Sequence, residues 1–417
     1  MKIINGLILP FYLISFPALA NSFIDDATGS LTSRNYYFDR HYTEDQPIDG
    51  AKDWAQGFIL NLNSGYTEGP VGFGLDLQAM TALKLEGDKE YLGTGLLPTD
   101  PVTRERANHS GEIGVTGKVK YKQTELKFGT IQPWNPIVFS SPTRLLPQTF
   151  RGAMIESKDI DKFELIGGYI DQVNQRDSTD YEDMSIAAPN GRFKPATTDH
   201  LAYAGGKYKL SPSTELGLYH GVLKDIYSQS AFTFKNNFKA SDTTNLLTDV
   251  RFWHSQDDGK TLAGEIDNTL LTGNLGVSYK NHTFTVSTMQ NYGDTAHPYL
   301  TGGEVLLFID GWSIDFLNPK EKVYGVRYDY DFKDFIPGLR FMTRYTKGTS
   351  IDLPKLGGDN LREDSLDFDI QYKLQSGPLK GLNLRARHMI SDNNFSSAAT
   401  FKPAKETRIN IDYTWKF

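Results

Sequence analysis

Arg385 and Arg387 alternate with Leu382, Leu384 and Ala386, and Arg408 alternates with Ile409 and Ile411. The same spacing recurs elsewhere. Arg327 opposes Tyr324, Val326 and Tyr328; Arg344 opposes Phe341, Thr343 and Tyr345; Lys373 opposes Leu366, Phe368, Ile370 and Tyr372. Near the start, Arg34 and Arg40 have the parity opposite Leu31 and Tyr37. Side chains alternate faces along a strand, so cations and apolar rows point opposite ways. A planar guanidinium binds both oxygens of a carboxylate. A row of them gives a passing anion successive weak sites. The competing explanation is ordinary polarity of a wetted face, because Asp329, Asp331, Asp367 and Asp369 share these faces.

Covalent chemistry finds little support. A nucleophile needs an activating base placed beside it. The eight histidines are dispersed, and neither a Gly-x-Ser-x-Gly elbow nor a His-Glu-x-x-His pair occurs. With no cysteine there is no disulfide framework, thiolate zinc site or cysteine nucleophile. Asp257-Asp258-Gly259 resembles half a calcium loop, but the remaining ligands are missing, so we read solvated loop acids there. No cofactor and no metal is expected. A membrane-embedded protease or lipase is the enzyme alternative, and a sugar-binding β-sandwich the soluble one.

The cations must be positioned by strands of unusual length. The last ten residues, RINIDYTWKF, put Ile409, Ile411, Tyr413, Trp415 and Phe417 on one face. Arg408, Asn410, Asp412, Thr414 and Lys416 take the other. Ten tilted residues cross a bilayer, and an apolar-out, polar-in strand ending in aromatics is the unit of an outer-membrane barrel. Residues 73–83, 113–121, 324–332 and 366–374 show the same two-residue period, and no stretch shows a 3.6 period. Mean hydropathy is −0.44, as expected when each strand hides its apolar half in alternation. The net charge of −7 argues against nucleic acid as a partner.

Residues 1–20 read as a signal peptide: Lys2, an apolar run, and Ala18-Leu19-Ala20 as the small-residue cleavage pattern. Residues 21–417 then form one domain; loss of Lys2 takes the charge from −7 to −8. Turns alternate in length. Short ones lie at 122–123, 211–213, 281–282, 336–338 and 376–378; long ones at 87–109, 131–150, 171–200, 291–322, 348–363 and 390–406. Seventeen strands come out on a first count. A further strand at 229–239 restores the alternation, giving eighteen antiparallel strands with both termini periplasmic. A barrel of this size leaves a water-filled lumen.

Several motifs also carry a resemblance. LTSRNYYFDR runs from Leu31, WAQGFILNLNSGYTEGPVGFGLD from Trp54, GTGLLP from Gly93, LPQTFRG from Leu146 and DQVNQR from Asp171. GDTAHPYL follows from Gly293, YDYDF from Tyr328 and QSGPLKGL from Gln375. In order and spacing these resemble the OprD-like outer-membrane carboxylate channels over essentially the whole chain after residue 20. The resemblance implies an all-β, 18-stranded transmembrane β-barrel, monomeric, with loops folded inward to constrict it. It implies a basic ladder and passive uptake of small carboxylate solutes, in contact with outer-membrane lipid and lipopolysaccharide. The terminal aromatic resembles the signal read by the barrel assembly machinery.

By motif, 131–150 resembles the constricting loop, with Arg144 and Arg151, and Arg176 opens the next loop. Asp294 and Tyr299 belong to the segment the family places on the acidic side of the eyelet, where His297 replaces a common phenylalanine. Arg144, Arg176 and the short chain point to aromatic or cyclic acids; basic amino acids and small peptides are the family's other substrates. We expect the constricting loop to bring Arg151 across the lumen toward Arg387 and Arg408.

Overall fold

Ile409, Ile411, Trp415 and Phe417 are exposed, while Glu406, Arg408 and Asn410 between and before them are buried. This inversion, apolar outside and polar inside, repeats around a closed antiparallel sheet. The computed structural model describes residues 21–307, 309 and 311–417; the leader expected at 1–20 lies outside them. Of its 21 strand segments, three are two-residue pieces within one loop, leaving 18 in the barrel. They are β1 (Thr28–Tyr42), β2 (Gly50–Asn63), β3 (Val71–Glu86), β4 (His109–Tyr121), β5 (Thr124–Ile131) and β6 (Thr149–Ser157). Next come β7 (Phe163–Asn174), β8 (Leu201–Ser211), β9 (Thr214–Leu223), β10 (Tyr227–Lys239), β11 (Thr244–Asp257) and β12 (Asp267–Tyr279). The last six are β13 (His282–Tyr292), β14 (Lys322–Asp331), β15 (Leu339–Leu353), β16 (Gly358–Lys373), β17 (Asn383–Asn393) and β18 (Ala404–Lys416).

Each strand pairs with the next, and β1 pairs with β18 in the register Arg34↔Asp412 and Tyr37↔Ile409, which closes the barrel. Closure removes the unpaired edge that an open sheet would present in lipid. Phe73, Leu75, Ile113, Val115, Leu275, Val286, Tyr324 and Val326 are exposed around the outside. An apolar belt of this extent belongs in lipid rather than water. The strand expected at 229–239 exists as β10 and the even count puts both termini at one end, with the short turns.

Two expectations need correction. Residues 348–363 are no long loop: β15 and β16 continue to Leu353 and from Gly358, joined by a short 3₁₀ turn at Pro354–Leu356. Ile351, Leu353, Leu356 and Leu361 pack there with Phe395 and Ala399, a small apolar cluster that rewards extending the hairpin. Nor is the lumen evenly wet. Segments 132–148, 175–200 and 293–321 fold inward and pack on inward side chains of β8–β14, including Tyr203, Tyr219, Trp253, Leu270, Met289 and Val323. His297 lies in that core, edge-on to Trp253 at 5.7 Å. Burial pushes its pKa down to about 3, so it packs as a neutral ring. Much of the inner wall is thus a floor for loops, and at the level of Phe38 the side free of that apolar packing is the wall formed by β15–β18 and β1.

Candidate functional site: an arginine-lined constriction

Most wall arginines already have carboxylate partners. Arg344 donates to Asp367 at 2.6 and 2.9 Å, and Arg327 to Asp329 at 2.6 and 2.8 Å. Arg385 is bidentate on Asp369, Arg34 reaches Asp412 at 2.8 Å, and Arg40 reaches Glu406 at 2.7 Å. For Arg344, Arg327, Arg385 and Arg34 the competing explanation, a wetted face with balanced charge, accounts for the residues. Charge-assisted pairs of this kind order a wall but leave little net field for a solute.

The exception is a cluster at Phe38. The guanidiniums of Arg408, Arg40 and Arg144 lie 4.8, 5.3 and 5.5 Å from its ring centroid. A ring face attracts cations, more strongly where water is excluded, so one phenylalanine gathers three like charges. Beside it, Arg387 donates to Tyr36 Oη at 2.9 Å and Asn410 Oδ1 at 2.8 Å, and lies 5.6 Å from the Trp312 ring. Buried Glu406 takes Arg408 on one oxygen and Arg40 and Ser313 on the other. Among the described residues no carboxylate pairs with Arg144 or Arg387, and Arg387 Nε is buried without a partner.

Loops deliver the other half of the site. Arg144 Nε donates to Thr94 O at 3.1 Å, and its own carbonyl accepts Arg34 Nη1 at 2.8 Å. Thr94 is held by Asp53, which also takes Arg106 at 2.8 Å in a buried ion pair. Gly95 sits among Arg144, Arg176 and Asp177: a methyl group there would lie 3.7 Å from Asp177 Oδ2 and 3.8 Å from the Nε of each arginine. Arg176 reaches Ser141 Oγ at 3.2 Å and Glu304 at 3.9 Å. Burial and the neighbouring Arg176 and Arg408 push the Arg144 pKa well below its ordinary value. A guanidinium nonetheless stays charged in proteins, so an incoming anion would relieve this crowding.

Four expected site residues lie elsewhere. Arg151 belongs to β6, half-exposed, with its fork spent on Asp171 of β7 at 2.8 and 3.0 Å, beside a bulge. The arginine that reaches the β18 wall from the constricting loop is Arg144. Asp294 is 85% exposed and pairs with Lys320 at 3.2 Å, away from the constriction. Lys373 is exposed at the turn end of β16. Tyr299 props the 293–321 segment from within, donating to Asp315 at 2.8 Å, which also holds Arg192 at 2.7 Å. Conversely, the parity that marks Arg34, Arg40 and Arg408 also marks Tyr36, Phe38 and Glu406. Trp312, Ser313 and Glu304 come from a loop, where parity carries no signal.

The segment carrying Trp312 and Ser313 is anchored at its end by buried acids. Asn318 Nδ2 donates to Glu321 at 2.9 Å and Glu363 at 2.8 Å. Burial pushes the Glu321 pKa up to about 7; Asn318 and Arg192 oppose this and Asp315 adds to it. A raised acid pKa stabilises the anchored loop most below the ordinary value near 4.5, and that stability is lost as pH rises through 7. Amides of residues 311–321 should therefore exchange hydrogen faster at pH 8 than at pH 5, after correction for intrinsic rates. Glu321→Gln should abolish that difference; equal pH dependence in the variant would show that another group anchors the loop.

A closed 18-stranded barrel with an apolar belt, narrowed by inward loops against an arginine wall, is an outer-membrane channel rather than an enzyme. A family profile described as "outer membrane porin, OprD family" matches residues 21–417, and the chain belongs to that family. The protein is 32% identical to the porin-like protein GalP of Pseudomonas putida, over 95% of this chain and 93% of that one. Its structure resembles Acinetobacter baumannii OccAB2 at 53% identity and TM-score 0.91, covering 95% and 99% of the two chains. It also resembles Pseudomonas aeruginosa OpdK, crystallised with vanillate, at 33% identity and TM-score 0.87, covering 95% and 100%.

Proposed function

We propose that this outer-membrane porin admits small carboxylates by diffusion, with a preference for aromatic or cyclic acids, along the basic residues of the constriction. One observation carries the reading: Arg144 and Arg387, with no carboxylate partner among the described residues, both lie at the cluster around Tyr36, Phe38 and Arg408. Shedding water from an unpaired carboxylate is costly, and guanidiniums that exchange as partners lower that barrier. Each contact stays weak enough for release, as conduction requires. Vanillate, bound in the OpdK crystal, is an aromatic carboxylate. In the same reading residues 1–20 are a removed leader, the termini are periplasmic, and the barrel works as a monomer.

Purified protein in liposomes should take up benzoate several-fold faster than arginine at equal concentration. Across a salt gradient in planar bilayers, organic-anion currents should dominate despite the charge of −8 after leader removal. Fixed loop charges more than about 8 Å away are screened at physiological salt, whereas the cluster at Phe38 acts at contact. Faster uptake of arginine would reassign the channel to basic amino acids, with Glu304 as the selecting acid.

A further inference from the structure

Trp134 is 64% exposed although it lies inside the barrel. It lines a cleft with Met154 and Ile166, whose neighbours Ile155 and Leu165 point outward to lipid. Tyr203 and Tyr219 form the floor, and Glu156, Glu164 and Lys207 the rim. Glu156 and Glu164 flank the short turn at 158–162, so this cleft lies nearer the turn end of the pore than Arg408. The other well-exposed tryptophans, Trp54 and Trp415, face outward, where a barrel's aromatic girdles lie. The indole therefore presents free apolar area to the lumen beside a cleft with apolar walls.

The segment around it is rigid. Phe139 meets the indole edge-on at 4.1 Å, which supports one edge and leaves area free. Asn135 Oδ1 accepts the amides of Ile137 and Val138 at 3.0 and 3.1 Å. Pro133 O takes the Ser140 amide at 2.9 Å, and Pro136 O takes Trp253 Nε1 at 3.2 Å. Prolines on both sides fix the backbone further. A surface held this firmly loses little entropy when a solute lands on it.

We propose that Trp134 is a stacking platform for the ring of an aromatic carboxylate leaving the arginine constriction. This rests on the proposed function and extends it to a second subsite. The ring keeps a partner after the carboxylate has left Arg144 and Arg387, while Glu156 and Glu164 repel the carboxylate and keep the stop brief. The platform therefore separates aromatic from aliphatic acids, which the arginines alone treat alike.

The test uses single channels of the full-length protein in planar bilayers at pH 7, reading the residence time of benzoate and of valerate, an aliphatic monocarboxylate. Trp134→Ala should shorten benzoate residence about five-fold, the scale of one aromatic contact, and leave valerate unchanged. Trp134→Phe should restore part of the benzoate time and shows that the barrel tolerates change at this position. Equal shortening of both acids, or no change in either, overturns the platform. Failure of the carboxylate reading looks different: the parent channel would then hold neither acid longer than a neutral sugar.

Discussion

Arg144→Ala is expected to lower carboxylate uptake about ten-fold, the loss of one charge-assisted contact at the rate-limiting point, whereas Arg151→Ala leaves it at the parent rate. The two arginines are seven residues apart in sequence. Arg144 leans on Phe38 and Thr94, and no acid among the described residues pairs with it. Arg151 is closed by Asp171 at the half-exposed end of β6. Arg144→Lys should recover only part of the rate, because an ammonium returns the charge without the fork. Neutral sugars of similar size should pass as fast or faster in Arg144→Ala, since the gap widens. Liposome uptake of benzoate and of a hexose measures both sides. If Arg151→Ala were the slower variant, the passage would have to run along β6 and the Phe38 cluster would be structural.

The comparison of these two residues marks where the sequence stops being readable. Strand parity is a local rule, so Arg34, Arg327, Arg344, Arg385, Arg387 and Arg408 all face inward as read. Parity also assigns Tyr36, Phe38 and Glu406 to the same side, though only the cations attract notice in a sequence. Once the chain leaves β5 at Ile131, no period constrains direction. Which of Arg144 and Arg151 crosses the lumen depends on Asp53, Thr94 and Gly95, more than forty residues away along the chain. Asp294 looks like an eyelet acid in its motif and is instead a solvated partner of Lys320. The hairpin at 348–363 is missed for another reason: its short apolar row, Ile351 and Leu353, packs on Phe395 and Ala399 of a distant loop, a contact that no local period reveals.

The inner apolar residues tell a related story. In a period-two reading, Trp253, Leu270 and Met289 weaken the polar face of their strands. They are the floor on which 132–148, 175–200 and 293–321 settle. By filling one side of the lumen at the level of Phe38, they leave β17, β18 and β1 as the side a solute meets there, before the lumen reopens toward the turn end. The arginine wall thus owes its role to apolar residues across the barrel from it.

Glu406→Gln is expected to destabilise the barrel by about 3 kcal/mol, the low end for leaving buried charge uncompensated. Glu406 and Arg408 are 1% and 2% exposed. The carboxylate receives Arg408 Nε at 2.5 Å, Arg40 Nε at 2.7 Å and Ser313 Oγ at 2.7 Å. Two strands and the 293–321 segment therefore meet on one side chain. Glutamine keeps the shape but removes the anion that Arg408 and Arg40 share, leaving them beside Arg144. The denaturation midpoint in urea should fall in lipid vesicles, followed by tryptophan fluorescence. The double variant Glu406→Gln/Arg408→Met should recover much of the loss, because the unpaired charge is gone and the methionine can pack on Phe38. It should not recover transport, since the cation is gone as well. Stability and flux thus separate in the double variant. An unchanged midpoint in Glu406→Gln would mean that water reaches Arg408 in the folded barrel, and that Phe38 alone suffices to hold the cluster.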